Sequence, residues 1–240
     1  LPIAMDAPPC PAFPDLDWTA ITHSLDAHGN AIMPGLLTPA QCDEFANRYD
    51  EPDRYRSRIV MARHGFGRGE YKYFSYPLPP LLHELRTALY PRLAPIANRW
   101  NRQLGIAVQY PDDHAAFLQR CHDAGQRRPT PLILQYGPGD YNCLHQDLYG
   151  EHVFPLQVAI LLSRPGHDFT GGEFVMQETS SREQRIDVLP LQQGDALIFT
   201  VNLRPVPGVR GWRKTAMRHG VSALHTGRRH TLGLIFHDAQ

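Results

Sequence analysis

The 240 residues carry 24 basic and 24 acidic side chains, so the formal charge is zero and no bulk field draws the chain to nucleic acid or to an anionic membrane. A hydrophobic fraction of 42% excludes a disordered chain, and the length suits one core with at most a small appended part. Cys10, Cys42, Cys121 and Cys143 stand far apart with no C-x-x-C spacing, which excludes a thiolate zinc site and a secreted disulfide framework.

Residues 1–16 hold too many prolines for a regular element and are expected to form a flexible lead-in. They lack the basic stretch and apolar run of a secretion signal, and no later run has the length of a membrane span. A soluble, cytoplasmic protein with no membrane partner is expected. Asp17 caps a predicted helix that carries Trp18, Ile21 and Leu25 at helical spacing and stops at Gly29. Residues 30–36 read as a strand, and Thr38-Pro39 opens a second helix toward Tyr49.

Over 54–76, Arg54, Arg56, Arg58, Arg63 and Arg68 interleave with Tyr55, Phe66, Tyr71, Tyr73 and Phe74 around three glycines, which predicts two strands joined by a glycine-rich loop. The segment reads equally as a substrate lid, with aromatics for a flat group and arginines for an anion, and as an ordinary hairpin with a solvated face. Apolar residues then recur at helical spacing over 81–104, where Pro91 and Pro95 are expected to kink or split the helix. A further helix is predicted over 112–124, ending at Gly125. Residues 17–130 thus form an N-terminal α/β part that packs on a core.

From 131 onward the texture changes to short runs rich in β-branched and aromatic residues. Strands are predicted over 131–136, 143–148, 154–163, 173–178, 185–189, 195–200, 215–222 and 229–237. The fold expected is mainly β with flanking helices, a sandwich or barrel with its core in 131–240, in one compact domain overall.

Within that half, residues 132–147 run as an apolar strand, a glycine-rich turn and the sequence His145-Gln146-Asp147. In an extended chain alternate side chains share a face, so His145 and Asp147 are set to grip one ion. An imidazole with a carboxylate suits iron(II), manganese or zinc, not copper(I) or an iron–sulfur cluster. Alone the pair is a weak signal, because a histidine on a strand serves as well as a hydrogen-bonded core residue. The tail adds His219, His225, His230 and His237. His219 opens a glycine-linked strand and has a cation one strand beyond it; the other three have none at a comparable distance, and His230 reads as a surface strand residue. Two imidazoles and one carboxylate on one face leave the remaining metal positions open, the arrangement of iron(II) and oxygen chemistry.

In this order the motifs resemble the Fe(II)- and 2-oxoglutarate-dependent dioxygenases, and within them the prolyl-hydroxylase-like branch. Tyr136-Gly137-Pro138-Gly139-Asp140-Tyr141 precedes the pair, and Gly171-Gly172-Glu173-Phe174 and Gly194-Asp195-Ala196-Leu197-Ile198-Phe199 follow it. The likeness covers 132–236. More narrowly, the tail from Arg218-His219-Gly220-Val221-Ser222 to Phe236-His237-Asp238 resembles a bacterial oxygenase family to which AlkB-like repair of damaged DNA has been assigned by analogy.

The resemblance implies a double-stranded β-helix (jelly-roll, cupin-like) core in which His145, Asp147 and His219 are metal ligands and catalytic. It implies Arg229 as the cation that holds the distal carboxylate of 2-oxoglutarate, with Thr231 on the same face assisting. Tyr136 reads both as a hydroxyl donor there and as a plain buried aromatic. Fe(II), 2-oxoglutarate and O2 are the cofactors implied, with hydroxylation of a C–H bond and release of succinate and CO2. Gly171 and Gly172 read as turn residues and Asp195 as a binder of turn amides; His152 and Gln157 receive no role. Two other classes stay open, a metal-binding cupin-like protein of different chemistry, in which Arg229 has no cosubstrate to hold, and a non-catalytic domain on the same fold.

The primary substrate is left open among nucleic acid, a prolyl or other peptide side chain, and a small molecule. Residues 197–237 contain no acid but hold Arg204, Arg210, Arg213, Lys214, Arg218, Arg228 and Arg229, a run that fits a phosphate backbone and equally a solvated loop.

Overall fold

The structure, a computed structural model, describes residues 15–180 and 183–240, so most of the predicted lead-in lies outside the described residues. Four helices occur among them, α1 (Trp18–His28), α2 (Pro39–Asn47), α3 (Pro80–Leu104) and α4 (His114–Asp123). The first strands are β1 (Asn30–Met33), β2 (Tyr55–Val60), β3 (Gly67–Arg68), β4 (Glu70–Phe74), β5 (Leu132–Tyr136), β6 (Tyr141–His145), β7 (Leu156–Leu161) and β8 (Phe169–Gly171). They are followed by β9 (Phe174–Thr179), β10 (Gln184–Leu189), β11 (Ala196–Thr200), β12 (Leu203–Gly208), β13 (Gly211–Val221), β14 (Leu224–Gly227) and β15 (Arg229–Leu234).

Local chemistry sets the helix ends. The Asp17 carboxylate accepts from the amides of Thr19 and Ala20, and Gly29 closes α1 in the left-handed conformation at φ +73°. Thr38 and Gln41 form a reciprocal capping box at the start of α2, with Pro39 at the first helical position. In α3 the expected break does not occur. Pro91 and Pro95 both lie on the exposed face, where carbonyls deprived of an amide partner meet water, while Leu89, Leu93, Ile96 and Trp100 bury the other face.

The strands form two large antiparallel sheets and a two-stranded one, β14-β8. One has seven strands in the order β1-β11-β7-β15-β5-β4-β2, the other five in the path β10-β9-β13-β6-β3 with β12 paired to β13 beside it. Two apolar layers explain the stack. Leu156, Val158 and Ile160 of β7 face the helices with Leu82, Leu85 and Tyr90. The alternate residues Ala159 and Leu161 face the second sheet with Phe174, Met176, Phe199 and Met217. β7 is buried on both sides and therefore apolar almost throughout. This is the jelly-roll, double-stranded β-helix fold. Segment 54–76 does fold as strands around glycines, but β4 pairs with β5, so it extends the larger sheet instead of standing apart from it.

Several strands are shorter or longer than predicted, and two of these differences bear on the site. The predicted strand over 143–148 ends at His145, so Asp147 sits in the irregular segment beyond β6. β13 begins at Gly211, not 215, because it pairs down to Gly208↔Gly211 with β12, whose two prolines hid it from a propensity reading.

Candidate metal centre and anion pocket

His145 ends β6 and pairs in register with His219 of β13, which brings the two rings to a centroid separation of 4.2 Å. Asp147 reaches back between them: one carboxylate oxygen is 3.4 Å from His145 Nε2 and the other 3.6 Å from His219 Nε2. The ligand atoms of the three residues all lie within 4.8 Å of one another, close enough to share one ion. The irregular backbone at 146 and 147 replaces the strand alternation that first suggested the pairing. Gln146 pins it, donating through Nε2 to the Met217 carbonyl at 2.8 Å and to Asn202 Oδ1 at 2.9 Å.

The surroundings orient the donors. His145 Nδ1 donates to the Cys143 carbonyl at 2.7 Å, which turns Nε2 toward Asp147. His219 is packed between Phe174, whose ring stacks at 5.9 Å, and Phe199 at 4.6 Å. Burial, and next to it the neighbouring His145, lowers the His219 pKa to about 3, so its ring is a neutral donor. Burial opposes the charge on Asp147, yet the His145 ring beside it, with His219 and Gln157, brings its pKa down to about 2. Burial also disfavours charge on His145, and its contacts with Asp147 outweigh that and raise its pKa. All three therefore present lone pairs or negative charge to a cation near neutral pH once His145 yields its proton.

Arg229 starts β15 opposite Tyr136 of β5 and is 2% exposed. Its Nη1 donates to Thr231 Oγ1 at 2.7 Å, while Nε has no partner. The guanidinium carbon stands 5.6 Å from the Tyr136 ring and 5.8 Å from the Phe169 ring, and the Tyr136 hydroxyl is buried without a partner as well. No carboxylate among the described residues pairs with Arg229, and burial lowers its pKa. A cavity of about 330 Å³ lies against it, lined by Phe169, Gly171, Gly172, Glu173, Phe174 and Leu191, and the Glu173 charge acts on Arg229 without an ion-pair contact. Phe174 is the wall shared with His219. Gly172, at φ +65°, keeps this pocket open, since a Cβ there would lie 3.1 Å from Arg229 Cδ. Arg228, one residue earlier, is exposed.

Of the other tail histidines, His225 is exposed and His237 is buried, accepting at Nδ1 from the Phe154 amide. His230 is not the surface residue expected but 8% exposed, against Gln135 and the Tyr49 ring. Asp195 accepts from the amides of Gly35 and Gln192, as a turn residue does.

Several neighbours were not assigned to the metal centre from the sequence, although Tyr71 and Tyr73 stood out in the 54–76 segment. Gln157 lies on the inner face of β7 with its buried side chain turned to Asp147, and contributes to the low pKa of that carboxylate. Tyr71 and Tyr73 of β4 and Tyr149 lie within reach of the Asp147 charge; burial raises all three pKa values, followed by Tyr73 and then Asp147 for Tyr71, and by Asp147 for Tyr73 and Tyr149. Only the alternation of β7 and β4 gave Gln157, Tyr71 and Tyr73 a face, and it marks every inward residue alike.

Similar proteins were found by family, sequence and fold. The family Oxygenase-NA, described as "Oxygenase, catalysing oxidative methylation of damaged DNA", matches residues 69–239. Uncharacterized protein Rv2227 of Mycobacterium tuberculosis is 50% identical over 167 residues, 69% of this chain and 72% of that one. Among solved structures, a Pseudomonas putida prolyl-4-hydroxylase superposes with a TM-score of 0.55 at 12% identity, covering 93% of this chain and 99% of that one. An oxidoreductase of the 2OG-Fe(II) oxygenase family from Burkholderia pseudomallei gives a TM-score of 0.55 at 14% identity, covering 95% of each chain. These structural likenesses are likenesses of fold. The family match takes in all three clustered residues and the buried cation, and the chain belongs to the Oxygenase-NA family of oxygenases.

Proposed function

We propose that this oxygenase uses iron(II) held by His145, Asp147 and His219, takes 2-oxoglutarate as cosubstrate, and oxidises a C–H bond of a nucleic-acid substrate. The observation that carries the reading is the pairing of two incomplete sites in one fold: a nitrogen and oxygen ligand cluster within 4.8 Å, and a buried guanidinium with an unpartnered Nε and no ion-pair partner among the described residues. Each fits its guest. Two imidazoles and one carboxylate suit iron(II) and cover only part of its coordination sphere. A permanently charged fork with a free Nε, beside a serviceable hydroxyl on Thr231, suits a carboxylate.

Iron(II) with the 2-oxo acid supplies oxygen activation, with succinate and CO2 as by-products. The chain's own residues do the rest. The Cys143 carbonyl and Gln146 hold His145 and the Asp147 backbone so that the donors need not reorganise. Phe174 and Phe199 keep water off His219. Arg229 with Thr231 fixes the far end of the cosubstrate, and burial strengthens that attraction. Tyr136 offers a hydroxyl to the same carboxylate; burial raises its pKa to about 12, so it remains a donor.

Nucleic acid as the substrate class is supported by the family description and by the acid-free run over 197–237. The test is conversion of 2-oxoglutarate to succinate with added iron(II), with and without a methylated DNA oligonucleotide. Iron-dependent succinate release that rises with the oligonucleotide and disappears in His145→Ala supports the whole reading. Release that no DNA stimulates removes the substrate, and no release under any condition removes the cosubstrate.

A further inference from the structure

β12 and β13 form a long ribbon that outruns the rest of its sheet. Pairing continues to Gly208↔Gly211, leaving Val209-Arg210 as a two-residue turn. Val209 is fully exposed, Trp212 is 50% exposed, and Arg210, Arg213 and Lys214 all face solvent. None of these three cations pairs with an acid among the described residues. An indole left half in water at the tip of a ribbon, ringed by unpaired cations, is an unusual feature to leave without a partner.

The ribbon also has a fixed position relative to the metal centre. β13 is antiparallel to β6 and pairs His219 with His145, the last residue of β6. Residues 211–218 therefore run on past the end of β6, on the side where the chain turns off to Asp147. Arg229 lies at the other end, opposite Tyr136, where β5 turns into β6. The cation cluster at the tip and the anion pocket thus sit at opposite ends of the metal centre. Trp212 precedes His219 by seven residues on one strand, a reach of about 23 Å at roughly 3.3 Å per residue.

We infer that this ribbon is an arm that grips the backbone of a nucleic-acid strand some distance from the reacting base, with Trp212 stacking on a base and Arg210, Arg213 and Lys214 meeting phosphates. The inference rests on the nucleic-acid reading above. Charge complementarity selects the occupant. The exposed end of the ribbon holds three cations and no acid, and Glu178, which lies across from Met217 at its base, is already paired with Arg204 and Arg185. A two-stranded ribbon with an aromatic near its tip matches the way strands and aromatic side chains engage nucleic acid. At roughly 3.4 Å per base step, the reach corresponds to about seven steps from the metal.

The test is binding of a duplex of roughly 20 base pairs with a central mismatched base, measured by fluorescence anisotropy across a salt series. The combined variant Arg210→Ala, Arg213→Ala, Lys214→Ala is expected to raise Kd at least about tenfold and to flatten the slope of log K against log salt by about 2.7. Trp212→Phe is expected to bind nearly as well yet to lose the quenching of tryptophan emission that DNA causes in the parent, because Trp100 is 2% exposed and Trp18 is partly buried. Shortening the duplex to fewer than about six base pairs on one side of the mismatch should make parent and triple variant bind alike. All substituted positions are exposed, so an unchanged thermal midpoint certifies the fold. A parent that binds DNA with a salt-dependent Kd, and a triple variant with the same Kd and slope, overturns the arm and leaves the nucleic-acid reading standing. A parent that turns over 2-oxoglutarate but shows no salt-dependent DNA binding overturns both.

Discussion

Of the three buried arginines, Arg86, Arg204 and Arg229, the first and the last have surroundings that could hardly differ more. Arg86 of α3, 1% exposed, donates to Asp238 Oδ1 at 2.8 Å, to the carbonyls of Ile235 and His237 at 2.9 and 3.1 Å, and to the Tyr76 hydroxyl at 3.1 Å. Asp238 in turn accepts from Tyr76 and His122, both at 2.8 Å. Every group in this knot is answered by another part of the chain, so it ties α3 and α4 to the C-terminal tail. Arg229, 2% exposed, has a single hydroxyl and an idle Nε. A buried cation that the protein leaves unanswered costs stability, and an anionic ligand is what compensates it. The first arginine is tied into the fold; the second is the one proposed to receive a guest.

Arg86→Ala should give the largest effect. Stranding the Asp238 carboxylate costs about 3–5 kcal/mol, seen as a thermal midpoint lower by roughly 10 °C. Arg229→Ala should leave the midpoint level or raised while weakening 2-oxoglutarate affinity some thirty- to hundredfold, about 2–3 kcal/mol, in an equilibrium titration. A loss of stability in Arg229→Ala equal to that in Arg86→Ala would erase the distinction between them.

Acid should act on the Arg86 side as well as at His219 and His230, whose buried rings are also held below the usual range. Burial, and then Arg86 itself, lowers the pKa values of His114 and His237 to about 4. The folded state keeps these rings neutral while the unfolded chain protonates them near pH 6.5, so stability is complete above that pH and falls as pH drops toward 4. Roughly 1–3 kcal/mol per ring is expected in urea midpoints taken between pH 7 and 4.5. A flat profile over that window would show that the rings are not held neutral. The smallest effect belongs to Gly172→Ala. Its Cβ would meet Leu224 Cδ1 at 2.6 Å and press on Arg229 at a left-handed φ of +65°, so 2-oxoglutarate affinity should fall several-fold, about 1 kcal/mol.

Much of this contrast was open to a reading of the sequence on one side only. The His145, Asp147 and Arg229 positions stood out because a ligand pair and a cation at set spacings are visible in one dimension. The Arg86 knot was not, since its partners lie about 150 residues away and nothing local distinguishes Arg86 from other helix arginines. The strand alternation assigned to His145 and Asp147 gave way to an irregular segment fastened by Gln146, a tertiary bond that no local pattern encodes. Helix caps at Asp17 and Thr38 were legible because they are local chemistry. β12, rich in proline, was hidden because its strand character comes from pairing with β13. Gln157 and Phe199 were hidden because a buried side chain near a metal centre looks like any other inward residue of its strand.

The proposed chemistry depends on one shared guest, bound by the ligand cluster and by Arg229 together. It is tested most directly by titrating 2-oxoglutarate calorimetrically, without oxygen, into the protein with and without added iron(II), in the parent and in Asp147→Ala. Iron(II) should tighten binding to the parent by at least about tenfold, and Asp147→Ala should abolish that gain. An affinity in the parent that iron(II) leaves unmoved would mean that the two halves of the site do not meet in a single ligand.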